Sequence, residues 1–138
     1  MLRLILFLSF TFLFSSQVFS QDDTKHRIDT MLDSCLSITE NMSTMGMVEC
    51  TDKAAKEWDK EMNRVYNKLK QILPADDFEK LQSSQREWIK YKDLEIEAIN
   101  SIYSKMDGTM YIPMNVSAIM ELTRARTIQL QSYLFLFE

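Results

Sequence analysis

Glycine and proline are nearly missing from this chain: 138 residues carry two of each, Gly46, Gly108, Pro74 and Pro113. Without such punctuation the sequence cannot be cut into many short strands, which argues against an all-β sandwich or a parallel α/β sheet. Cysteine is equally scarce, at two residues. A domain of roughly 120 residues can fold on a hydrophobic core, so the cysteines support the fold without framing it. The single histidine, His26, cannot build a zinc site and has no evident nucleophile to serve, so no catalytic residues, metal or cofactor are expected. Basic residues are in deficit, 16 against 20 acidic ones, for a net charge of −4. That balance disfavours nucleic acid and anionic membrane and favours basic partners.

Long hydrophobic runs are also missing, with one exception near the N-terminus. Arg3 precedes the apolar stretch Leu4 to Phe14, and Val18-Phe19-Ser20 closes it before Gln21. The stretch falls well short of the ~20 residues that span a bilayer, and its flanks fit a signal peptide (1–20) cleaved after Ser20. An uncleaved signal anchor is the alternative. No cysteine stands near the cleavage site for lipid attachment, so a periplasmic or secreted protein without a stable membrane anchor is expected. Cleavage removes one positive charge, Arg3, and no carboxylate, leaving the product slightly more acidic.

Residues 21–46 read as a short helix and a loop, and residues 47–138 as a helical bundle. From about Met47 to Ile72 the apolar positions Ala55, Trp58, Met62, Val65, Leu69 and Ile72 recur at steps of three and four, one face of an amphipathic helix. Pro74 ends it, and Asp76 with Glu79 three residues later has the pattern of an N-cap and its capping-box partner. The next helix spans about Asp77 to Ser104, with Phe78, Leu81, Trp88, Ile99 and Ile102 on a seam shared by Gln85, Lys92 and Glu95. Pro113 is suited to open a third helix, whose stripe runs through Val116, Ile119, Met120, Thr123, Arg126, Thr127, Leu130 and Leu134. The expected fold is all-α: an up-down-up antiparallel bundle of three long helices with a short N-terminal helix and one disulfide.

Three polar and aromatic blocks exceed what a bundle requires. They are Asp59-Lys-Glu-Met62-Asn63-Arg-Val-Tyr66, then Leu81-Gln-Ser-Ser-Gln85-Arg86-Glu-Trp88-Ile-Lys-Tyr91-Lys92-Asp93, then Leu122-Thr123-Arg-Ala-Arg126-Thr-Ile-Gln-Leu130. In that order and spacing they resemble the LprI-type lysozyme-inhibitor domain family over about residues 35–130. The resemblance implies a small exported helical domain that binds lysozyme or a related muramidase and performs no chemistry. Members commonly carry a cysteine shortly after the Arg-Asp pair of the second block and another just before the third; here Ile96 and Ala118 stand there. Against that pattern Cys35 and Cys50 are left as each other's partners, in a loop of about 16 residues worth ~3 kcal/mol. Two buried free thiols are the alternative. Lys92 replaces the more usual arginine, which puts a bidentate pairing there in doubt.

Within the blocks, Gln85 and Arg126 fall on the apolar seams of their helices. A buried guanidinium calls for an acid, and Asp59 or Asp93, with the Asn63 amide, is expected to supply it. A register-fixing core network is weighed above direct partner contact. Tyr66, Trp88 and Tyr91 at helical spacing are expected in the core. Copper(I) binding by Met42, Met45 and Met47 is weighed against plain loop packing, and the acceptor triplets at Asn41 and Asn115 matter only in a glycosylating host. A partner-binding loop is sought in residues 41–47 or 107–112, where Met110 and Tyr111 form an apolar tip. Occlusion of a basic muramidase is one function; a helical adaptor of the cell envelope, docking through Leu134-Phe135-Leu136-Phe137, is the competing one.

Overall fold

The computed structural model describes residues 25–137, and the regular structure among them is all helical. The signal segment and its cleavage site lie outside the described residues. Helix α1 spans Arg27–Leu36, a single 3-10 turn follows at Thr39–Asn41, and three long helices complete the chain: α2 Thr44–Ile72, α3 Ala75–Tyr103 and α4 Tyr111–Phe135. The expected all-α class with three long helices and a short N-terminal one matches this order.

Helix starts differ from the apolar pattern, each for a local reason. Helix α2 begins at Thr44 because Ser43 caps it, its Oγ accepting from the Gly46 amide at 3.0 Å. Gly46 is required there: a Cβ would lie 2.6 Å from the Asn41 Cα, so the 3-10 turn can close on the helix only over a bare backbone. The Met45 and Met47 side chains therefore belong to the first turns of α2 and not to a loop. Helix α3 begins at Ala75 with Pro74 as N-cap, and no side chain caps it. Asp76 is thus not the cap expected from its spacing to Glu79; it lies in the first turn, where its charge favours the positive end of the helix. Helix α4 starts at Tyr111, which makes Pro113 its third residue and not its first. The missing amide costs nothing there, since the first four N–H groups of a helix have no partner within it. Gly108, at φ +112°, makes the break between α3 and α4.

The core is a seam between α2 and α4. Met62, Val65 and Leu69 pack with Leu130 and Leu134 at one level. Ala54, Trp58 and Met120 pack with Ile28 of α1 at the other. Leu81 and Trp88 of α3 and the ring of Tyr66 cover the first cluster from outside. Across α2 and α4 the Thr127 hydroxyl donates to the Trp58 carbonyl and the Gln131 amide to Glu61. Across α3 and α4 Lys92 reaches Thr123 and Asn115 reaches Asn100. Cys35 and Cys50 form a disulfide that ties the end of α1 to α2 with a Cα separation of 5.8 Å. The Asn41 side-chain amide donates to the Cys35 carbonyl at 2.9 Å and fastens the intervening turn.

Candidate functional site

Gln85 and Arg126 meet across 41 residues of sequence, both buried. The Arg126 Nε donates to the Gln85 Oε1 at 2.8 Å, Nη1 to the Gln129 Oε1 at 2.5 Å and Nη2 to the Ser84 hydroxyl at 3.2 Å. The Gln85 amide nitrogen then faces the Met62 sulfur at 3.7 Å. Trp88 lies beneath this network, its ring centroid 5.9 Å from the Arg126 guanidinium and 5.4 Å from the Lys92 ammonium. Each of these side chains projects from a rigid helix, so the arrangement is preorganised.

The acid expected for Arg126 is not among its partners. Asp59 and Asn63 are exposed on α2 and satisfy each other, the Asn63 amide donating to the Asp59 carbonyl at 2.8 Å. Asp93 is exposed as well. The buried guanidinium is held by three neutral oxygens, and burial pushes it below its ordinary pKa. Tyr91 is also misplaced by the helical spacing: it is 52% exposed, because the core-facing row of α3 continues from Trp88 through Lys92 and Ile96 and leaves Tyr91 to one side. Tyr66 is half-buried against Phe78 with ring centroids 5.4 Å apart.

At the α3–α4 break, Met110 is 61% exposed and Tyr111 is half-buried at the start of α4. Met106, Ile112 and Met114 are exposed near them, and an open depression of about 630 Å³ there is lined by Tyr103, Met106, Tyr111, Ile112 and Val116.

A second polar cluster escaped the sequence reading. Glu61 is buried on α2, where Arg64 donates to it twice, at 2.8 and 2.5 Å, and Gln131 once at 3.1 Å. These partners, Arg64 foremost, hold its carboxyl at about 2 against the burial that would raise it. Arg124 grips Asp29 of α1 through Nε at 3.0 Å and Nη2 at 2.9 Å and lies over the Trp58 ring at 5.6 Å. These hydrogen bonds, that to Asp29 first, raise the Arg124 pKa further. His26 caps α1 through Nδ1 and stacks on Trp58 at 4.3 Å, and burial pushes its pKa down. His26 is therefore a packed residue and not an isolated one. One signal could have found Glu61: it follows Trp58 by three positions, on the same side of the helix as Met62 and Val65. Nothing in the sequence pairs Arg124 with Asp29, 95 residues away. Among the described residues no group of acidic, histidine or cysteine side chains is arranged to hold a metal. Among them, too, no helix is long and apolar enough to cross a membrane.

No curated protein matches the chain. Among solved structures, the crystal structure of an uncharacterized protein from Burkholderia thailandensis superposes with a TM-score of 0.74 at 29% identity, covering 78% of this chain. This chain spans about half of that protein, 53% of its length. The family described as lysozyme inhibitor LprI matches residues 35–130, a segment that starts at the disulfide, takes in all three polar blocks and includes the Met110–Tyr111 end; the chain belongs to this family.

Proposed function

We propose that this protein is an exported, non-enzymatic lysozyme inhibitor that occludes the cleft of a muramidase with the end of the bundle built by Met110 and Tyr111. The observation that carries the reading is the exposure of Met106 and Met110 in the short α3–α4 connection, and of Ile112 and Met114 in the first turn of α4, at one end of a family member. Three long helices in up-down-up order would present that end as one surface. The inter-helix pairs support the order: they ascend together along α2 and α4 and in opposite directions along α3 and α4. Polar core residues Gln85, Trp88 and Arg126 then act as scaffold, with Asp59, Asn63, Tyr66, Tyr91 and Asp93 around them. The acidic balance of the chain would draw it to a basic enzyme.

Lysis of peptidoglycan followed by turbidity tests the reading. Near-stoichiometric protein protects the substrate, and Met110→Asp with Tyr111→Ser removes the protection while leaving the circular dichroism spectrum intact. Unchanged lysis at large excess of protein rejects it. A second reading, an envelope adaptor, is favoured by the C-terminal end, where Phe135 and Leu136 are 76% and 75% exposed. Capture of an envelope protein that depends on Phe135 and Leu136, with lysis unaffected, selects that reading. Mass determination of the exported protein checks cleavage after Ser20.

A further inference from the structure

Arg126 is 6% exposed, and no carboxylate touches it among the described residues. A buried cation whose partners are all neutral has lost its hydration without gaining a counter-ion, which is an unfavourable state unless something else supplies one. The acidic residue lining the same groove, Glu121, is engaged by Arg124 at 2.9 Å. The guanidinium has five N–H donors, of which three are accounted for. Those remaining belong to Nη1 and Nη2, whose partners Gln129 and Ser84 are exposed at the surface. The two terminal nitrogens thus bond side chains that lie at the surface, while Nε bonds the buried Gln85.

Arg126 and Gln129 line a groove between α3 and α4 of about 460 Å³, walled by Trp88, Tyr91 and Leu122 and kept open by the small side chains Ala118 and Ala125. Its surface is mainly apolar and aromatic, and its charged groups are the Arg126 guanidinium and the Glu121 carboxylate, the latter already neutralised by Arg124. That is the chemistry of a site for an organic carboxylate, in which the charge meets the guanidinium fork and an apolar flank lies against the rings. We propose that the α3–α4 groove binds a carboxylate at Arg126, so that the ligand provides the counter-ion missing from the fold. A free organic acid and an acidic side chain of a bound protein present the same group.

The test follows the Arg126 Nε–H and Trp88 Nε1–H resonances of the folded protein during titration with benzoate, with neutral benzamide as control, and separately with lysozyme. A saturable shift with benzoate and not with benzamide identifies a free-acid site. A shift of Arg126 with lysozyme alone identifies a protein side chain as the source. Gln129→Glu places a carboxylate where the Gln129 Oε1 now accepts from Arg126, so it should raise the melting temperature and weaken either ligand by roughly tenfold or more. Because this variant adds the absent charge and removes no packing, it keeps the proposal testable even if Arg126→Gln fails to fold. The proposal is overturned if neither ligand moves Arg126, if benzamide acts like benzoate, or if Gln129→Glu binds as the unaltered protein does. Inhibition of lysis is a separate readout: its absence rejects the inhibitor reading and leaves the benzoate result standing.

Discussion

Helices α2 and α3 are the same length, 29 residues, yet α2 buries nine residues and α3 buries one, Gln85. The difference lies in what each helix is packed against. Helix α2 is covered by α4 along one side and by α1 along another, so its apolar side chains from Ala54 to Leu69 are removed from water. Helix α3 reaches the rest of the molecule through long side chains: Gln85 and Ser84 to Arg126, Lys92 to Thr123, Asn100 to Asn115, and Leu81 and Trp88 onto the outer side of the core. One helix is held by area, which is non-directional and large. The other is held by a few directed contacts, each of modest net worth. Equal helical length therefore says little about equal contribution to stability.

The largest expected effect comes from the seam. Leu130→Ala, at a fully buried position between α2 and α4, should cost about 3 kcal/mol and shift the denaturant midpoint accordingly. A loss near zero would mean that the seam is looser than the α2–α4 packing implies. Removing the disulfide by Cys35→Ser with Cys50→Ser should cost up to about 3 kcal/mol and loosen α1 while leaving amide exchange in α3 unchanged. If α3 exchanged faster in that variant, the two regions would not be energetically separate.

Acid should weaken the side of α2 that α3 does not touch. The Glu61 carboxyl, ordinarily near 4.5, is held at about 2, so its stabilisation is complete above pH 4.5 and is lost as the pH falls towards 2. After allowance for the solvent around Arg64, that contribution is about 2 kcal/mol. His26, pushed down by burial from 6.5, acts in the same sense, since its neutral form is favoured by folding and that advantage fades as the pH drops below 6.5. A pH series of melting temperatures should fall on the acid side, and Glu61→Gln should flatten the fall at its lower end. Smallest of all is Leu94→Ala on α3, a 67% exposed position, which should change stability by less than about 0.5 kcal/mol. Amide exchange should be fastest in α3 among the long helices, and slower exchange there than in α2 would break the comparison.

Much of this contrast could be read before folding, and some could not. The row Trp58, Met62, Val65, Leu69 and the row Met120, Thr123, Thr127, Leu130 announce buried faces by spacing alone. The seam of α3 announces itself too, with polar Gln85, Lys92 and Glu95 among its apolar members. Gln85 and Arg126 were legible as interior residues because each interrupts an apolar row. Their company was not: Asp59 and Asp93 are as acidic as any candidate, but they are exposed and neither bonds Arg126, and Ser84 and Gln129 carry no mark that distinguishes them from other surface residues. The helix starts failed in the same way. Asp76 and Glu79 have the spacing of a capping box, yet Pro74 takes the cap because its carbonyl already accepts from Asp77 and Phe78.

Length, the near absence of glycine and proline, and the three-and-four spacing of apolar residues determined the helical class and the number of long helices, since these depend on local backbone preference and on which face must leave water. Only the tertiary structure decided which polar groups meet: Arg126 with neutral amides, Arg124 with Asp29, His26 with Trp58. Such pairings depend on angstrom-scale register between segments up to 105 residues apart, as for His26 and Gln131, and periodicity marks a face without naming what will lie against it.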